Sequence, residues 1–127
     1  MKRKIPSKIN NTQVVERNSP EHRLWALEAA KEARRVLPIF EKEYPNDDRP
    51  RQAIEAIKAW AQGKRELGLV EVRKLSLSSH AAAREAKTDG ARFAARAAGQ
   101  AVATWHVPTH AAAVPKYVRK AIEATKG

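Results

Sequence analysis

Apolar residues recur through most of this chain at the spacing of one helical face, and the pattern is cleanest at Ala94, Ala98, Ala101, Val102 and Trp105. The stretch that holds them, Ala91–Val107, fills its other faces with Ala97, Gly99 and Ala103 and carries only Arg92 and Arg96 as charges. A helix that is apolar nearly all round is normally enclosed by others. Its small side chains let neighbours approach to the short end of the usual ~8–10 Å spacing. The pattern predicts the central, alanine-rich helix of an all-α domain.

The flanking segments supply its neighbours. Ser19 is a good N-cap, Pro20 suits a first helical position, and Glu21 favours the positive helix end. From there Trp25, Ala29, Ala33, Val36, Leu37, Phe40 and Tyr44 trace one face, broadened by Leu24 and Leu27. Pro38 lies inside this period, which predicts a kink rather than a stop. Tyr44–Asp48 reads as a turn, and a second helix runs from about Arg49 to Gln62, capped by Asp48 and stopped by Gly63. Its buried stripe is Ala53, Ala56, Ile57, Trp60 and Ala61.

Leu67, Leu69, Val70, Val72, Leu75 and Leu77 partly alternate, as in a strand, but no second strand exists to pair with them. Leu69, Val72, Ser76, Ser79, Ala83 and Ala86 fit a helical face, so this segment is expected to form one helix to about Lys87. Thr88-Asp89-Gly90 is a turn in which Asp89 is expected to cap the central helix. Pro108 and Thr109 mark that helix's end. The last helix turns Val114, Tyr117, Val118, Ala121 and Ile122 inward and Lys116, Arg119 and Lys120 outward, with Pro115 marking a bend or a fresh start. The expected fold is a compact all-α bundle of about five helices, two hairpins plus a C-terminal helix, over residues 19–127. Residues 1–18 are expected to form a polar, basic, mobile arm.

Composition narrows the function classes. A chain of 127 residues is long enough for one domain with a real core. Cysteine is absent, which excludes disulfides and thiolate metal sites and permits a reducing cytoplasm. No apolar run approaches the ~20 residues of a membrane span, and the basic N-terminus lacks the apolar region of a signal peptide. Net charge is +11, which invites a nucleic-acid reading. The distribution weakens it: residues 19–67 hold ten basic residues against nine acidic, and the excess sits in the arm and the last helices. A wall of phosphates is usually met by a denser stripe.

Candidate chemistry is sparse. His106 and His110 stand at the spacing that can place two imidazoles on one zinc, but Pro108 lies between them and no third ligand is adjacent. No metal or cofactor is expected. Ser78, Ser79 and His80 are successive residues of one helix and point apart; His80 is expected to pack among alanines with one hydrogen bond. Asp47 and Asp48 suit a turn and a cap, and Trp25, Trp60 and Trp105 lie on apolar stripes. There is no glycine-rich phosphate loop.

Four segments carry a resemblance: HRLWALEAA at His22–Ala30, VLPIFEKEYPNDDRPRQAIEAIKAW at Val36–Trp60, SHAAAREA at Ser79–Ala86 and AARAAGQAVATWHVPTHA at Ala94–Ala111. The chain resembles the small bacterial immunity proteins similar to the fifth immunity family of polymorphic toxin systems. Tyr44–Arg51 is the most distinctive part. The resemblance implies a compact all-α protein with no enzymatic activity of its own, which binds and neutralises a cognate toxin. Val114-Pro115-Lys116 departs from the small, helix-favouring stretch expected there, so a reshaped last helix is anticipated.

The leading expectation is therefore a cytoplasmic, non-catalytic protein that blocks a toxin stoichiometrically. The positive charge argues against a basic nuclease as target and favours an acidic or neutral one. The alternative is a basic helical domain binding nucleic acid weakly and non-specifically through its arm and Lys116, Arg119 and Lys120. An enzyme assembled from His80, His106 and Asp48 has no supporting spacing. Asp48, Arg49, His106 and His110 are expected to meet in one polar cluster, with His22 at the opposite end of the bundle and His80 near the Asp89 turn. The plain alternative for these residues is helix capping.

Overall fold

The computed structural model describes residues 15–126. The five α-helices are α1 (Pro20–Glu43), α2 (Arg49–Ala61), α3 (Leu69–Glu85), α4 (Asp89–Ala103) and α5 (Ala113–Ala124), with a 3₁₀ segment at Pro108–Ala112 before the last. There is no strand among the described residues. Helices α1 and α2 form one antiparallel hairpin, α3 and α4 a second, and α4 packs against all four other helices. The centre is built almost wholly of alanine. Ala91, Ala94, Ala95, Ala97, Ala98, Ala101 and Val102 of α4 are buried, against Trp25, Ala29, Val36 and Phe40 of α1 and Ile54 and Ile57 of α2.

Most helix ends follow the sequence. The Ser19 hydroxyl accepts from the His22 amide at 3.1 Å, with Pro20 in the first position. Helix α1 runs on past the exposed Pro38 to Glu43. Gly63 ends α2 with φ +73°, its amide donating to the Trp60 carbonyl while that of Lys64 donates to Ala59. That pair of bonds satisfies two carbonyls at the helix end and needs a left-handed residue, which glycine adopts at little cost. The segment with mixed helix and strand signals is the helix α3.

Three ends differ from expectation. Thr88, not Asp89, caps α4: its hydroxyl accepts from the Ala91 amide, and Asp89 pairs with Arg92 one turn on. Asp48 holds the cap position of α2 without capping it; Asp47 Oδ1 accepts from the Arg49 amide at 3.1 Å, and Asp48 accepts from the Gln52 side chain. The central helix stops at Ala103, because Trp105 and His106 turn back through bonds three residues long before Pro108. Helix α5 then starts afresh at Ala113, with Pro115 in its first turn where no amide donor is missed.

The expected mobile arm falls mainly on residues 1–14, which lie outside the described residues. Residues 15–18 lie on the bundle: Val15 packs against the core, Arg17 sits 5.1 Å over the Trp105 ring, and the Asn18 amide donates to His22.

Candidate partner-binding face

The turns within the two hairpins, α1–α2 and α3–α4, lie at one end of the bundle. The Tyr44 hydroxyl accepts from the Lys87 amide at 2.9 Å, Thr88 donates to Glu43 at 2.7 Å, and Arg49 bridges Asp47 and Glu85. These bonds fasten the α1–α2 turn onto the α3–α4 turn. Helix α4 therefore runs from the Asp48–Arg49 end towards the other, a span of about 20 Å for fifteen residues.

That placement divides the expected cluster. Asp48 and Arg49 lie at the turn end, on hollows shared with Gln52 and Arg65. His106 and His110 follow the far end of α4, and the four residues do not meet. His22 is not opposite these histidines but at their end, where its Nε2–H donates to the Thr104 carbonyl at 2.6 Å. The expectation failed because α4 lies antiparallel to α1, an orientation fixed by contacts between turns rather than by either hairpin's own pattern.

His80 also departs from its expected place. It belongs to the C-terminal half of α3, but helical side chains lean towards their own N-terminus. Its ring therefore lies over Gly99 of α4, and its Nδ1 accepts from Arg96 Nη1 at 2.8 Å. A Cβ built on Gly99 would stand only 2.6 Å from His80 Nε2, so the close packing there depends on glycine. His110 lies near enough to depress the His80 pKa, and His106 does the same to His110. All three histidines of the second half thus share one face.

Desolvation is the main cause that lowers the pKa of the buried His22 and of the half-buried His80 and His110. His80 is pushed down to about 4, with Arg96 and Arg84 adding to the effect. His110 is lowered by burial and then by His106; its Nδ1–H donates to Gln100 at 2.9 Å. His22 is fully buried and lowered by desolvation against the opposing effect of its bond to Thr104, and it packs 4.9 Å from the Trp60 ring. It is a core histidine with both nitrogens bonded. Among the described residues no three His, Cys, Asp or Glu side chains gather where a metal ion could be held.

Beside these histidines a groove of about 250 Å³ opens between α3 and the end of α4. Val72 and Ser76 line it with Leu77 and Arg73 from α3, facing Ala103, His106 and His110. Next to it Val70 is 82% exposed and Leu77 65%, and Leu69 and Val107 are also exposed. The sequence contained a signal for this strip. Val70 and Leu77, seven apart, are among the apolar residues left over once the buried stripe of Val72, Ser79 and Ala83 is drawn, with Leu69 and Leu75.

The basic residues of α5 lie on its outer side. Lys116, Arg119 and Lys120 are all exposed, and the ammonium of Lys120 lies 5.3 Å over the Phe93 ring and 6.0 Å over Tyr117.

The described residues thus form an all-α bundle with an alanine-rich core and an exposed apolar strip on α3. Residues 16–127 match a family described as Imm-5 like putative immunity protein, and the chain belongs to that family. No curated protein and no solved structure matches it.

Proposed function

We propose that this chain is a non-catalytic immunity protein that acts in the cytoplasm and neutralises a cognate bacterial toxin by forming a stoichiometric complex with it. The observation that carries this reading is the exposed apolar strip of α3 in a chain of this family. Solvent-facing valine and leucine side chains beside a groove are what a protein–protein contact buries. A groove of 250 Å³ lies below the range of ~300–1,000 Å³ usual for small-molecule sites and suits a partner's side chain better.

The test is titration of the inhibited activity. A toxin domain against which this chain protects growing cells should lose activity linearly with added immunity protein and reach its floor at equimolar ratio. The two should also co-migrate as one species of summed mass. Substoichiometric inactivation would instead mean that the chain destroys or modifies its target, and the binding reading would be dropped.

A second reading, weak non-specific nucleic-acid binding, is supported by the exposed Lys116 and Arg119 on α5. It concerns a different surface from the α3 strip.

A further inference from the structure

Most of the chain's acidic groups that lie near arginines are paired. Arg34 reaches Glu55 at 2.8 Å, Arg51 reaches Glu41 at 2.7 Å, and Arg49 joins Asp47 to Glu85. The two acidic residues of α3 take part: Glu71 pairs with Arg65 and Glu85 with Arg49. Three cations of this helix have no ion pair among the described residues: Arg84, two turns beyond Leu77, and the adjacent pair Arg73 and Lys74. Arg73 and Lys74 are both exposed. They stand between Val70 and Leu77, so Val70, Arg73, Lys74 and Leu77 occupy i, i+3, i+4 and i+7, one face of one helix. The face is therefore an apolar–cationic–apolar strip about 10 Å long, measured Val70 to Leu77 at 1.5 Å per residue.

We propose that this strip and the adjoining groove are where the partner docks, and that the partner element is an amphipathic helix carrying carboxylates between apolar anchors. The inference rests on the binding reading above and adds the surface and the chemistry of what covers it. An apolar anchor of that helix enters between Leu77 and the His106–His110 wall, over Val72 and Ser76. A second packs on Val70 about two turns away. Carboxylates between them meet Arg73 and Lys74, whose charges are not already matched within the fold. Helix-in-groove recognition uses this spacing of anchors, and buried apolar contacts with complementary charge at their edge give both affinity and register.

Charge selects among the possible occupants. A second copy related by a two-fold axis would set Arg73 and Lys74 against their own equivalents or the chain's net +11, which is unfavourable. Residues 1–14 contain four basic residues and no acidic one, so they too are repelled by this strip. An acidic segment of another protein is the complementary choice.

The experiment uses the full chain and a toxin domain that the titration above shows it to inhibit, with that domain's catalytic residue replaced. Three variants are compared with wild type: Leu77→Glu, Arg73→Glu/Lys74→Glu, and Lys116→Glu/Arg119→Glu on α5 as a control of equal charge change. Leu77 and the two cations are solvent-facing, so thermal unfolding of every variant should stay close to wild type. Calorimetry should show affinity weakened on the order of 10–100-fold by Leu77→Glu. The Arg73→Glu/Lys74→Glu pair should weaken binding and remove most of its salt dependence, while the α5 pair leaves both nearly unchanged. Amide exchange in the wild-type complex should slow at residues 69–80 and 103–110. Wild-type binding undiminished by the α3 variants, or exchange protection confined to other elements, overturns this inference and leaves the binding function standing. No binding by wild type overturns both. A wild-type dimer that Leu77→Glu converts to a monomer assigns the strip to a second copy and overturns the acidic partner.

Discussion

Arg49 Nη2 lies 2.8 Å from Glu85 Oε1, joining the first turn of α2 to the last turn of α3. The same guanidinium holds Asp47 at 2.7 Å, and the two carboxylates raise its already high pKa further. Asp47 is held below the usual carboxylate range, first by its side-chain bond to Arg49. Tyr44–Arg51, the most distinctive segment of the sequence, is thereby explained as a fastening between the two hairpins.

Arg49→Ala should accordingly destabilise the fold by about 1–2 kcal/mol, above the typical exposed pair because the contact is forked and links three residues. Arg49→Lys should not restore the loss, since an ammonium cannot reproduce the fork. His106→Ala, at an exposed position with no such bonds, should change stability little. Denaturant midpoints of the three variants decide this; equal midpoints for Arg49→Ala and wild type would remove the fastening role.

Trp60 is 4% exposed, packed on His22, with the Arg23 guanidinium 4.3 Å from its ring centre. Trp60→Ala should cost roughly 3–5 kcal/mol, the range for truncating a buried aromatic. A loss below about 1 kcal/mol in chemical denaturation would mean the site collapses around the smaller residue far better than a rigid core allows.

The fold was legible because its information is periodic and local. Ser19, Gly63 and the Ala94–Val102 stripe each fix an end or a face by near neighbours. The α3 segment could be read as a helix only because a strand there had nothing to pair with. The relative direction of the two hairpins was not legible: it depends on Tyr44–Lys87, Glu43–Thr88 and Arg49–Glu85, contacts between residues 36 to 45 positions apart. The expected meeting of Asp48 and Arg49 with His106 and His110 failed for that reason. Val70 and Leu77 were visible as leftovers, but their exposure follows from α3 lying at the edge of the bundle, which no local pattern states.

Nucleic-acid binding, if tested with duplex DNA, should be weak and should vanish near physiological salt. Lys116 and Arg119 are free to meet phosphates, but Lys120 is drawn onto Phe93 and Tyr117. Replacing Lys116 and Arg119 should flatten the salt slope by about one counterion per charge removed. Tight binding that survives physiological salt would promote this surface over the α3 strip.

Stability should fall on mild acidification, before the carboxylates titrate. His22, His80 and His110 are all held below 6.5 by burial. Below that pH the unfolded chain takes up protons that the folded chain refuses, so these groups favour the unfolded state progressively as pH falls. For His80 the window runs from 6.5 down to about 4. Asp47, Glu41 and Glu85 are lowered by their arginine partners, so their contribution is lost only as pH falls below the ordinary carboxylate range of about 4. Melting temperature should therefore decline between pH 7 and 5, and His80→Gln should make that decline shallower. A flat profile across that range would show that the histidines are not desolvated.

Gly99 and His80 should be energetically coupled, and the coupling has a definite sign. In an exposed helix interior, glycine to alanine is worth about 1 kcal/mol of stability. At Gly99 the added methyl would meet the His80 ring at 2.6–2.9 Å, so the ring must leave its place and its bond from Arg96. Gly99→Ala in the wild-type background should then gain less than about 1 kcal/mol, or lose stability outright. With His80→Ala already made, the obstacle is gone, and the same Gly99→Ala change should recover most of the propensity gain. The difference between the two backgrounds is the interaction energy of a double-mutant cycle, expected near 1 kcal/mol or more. A cycle that closes to within ~0.3 kcal/mol would mean that the ring swings aside without cost, and that His80 does not fix the close approach of α3 and α4.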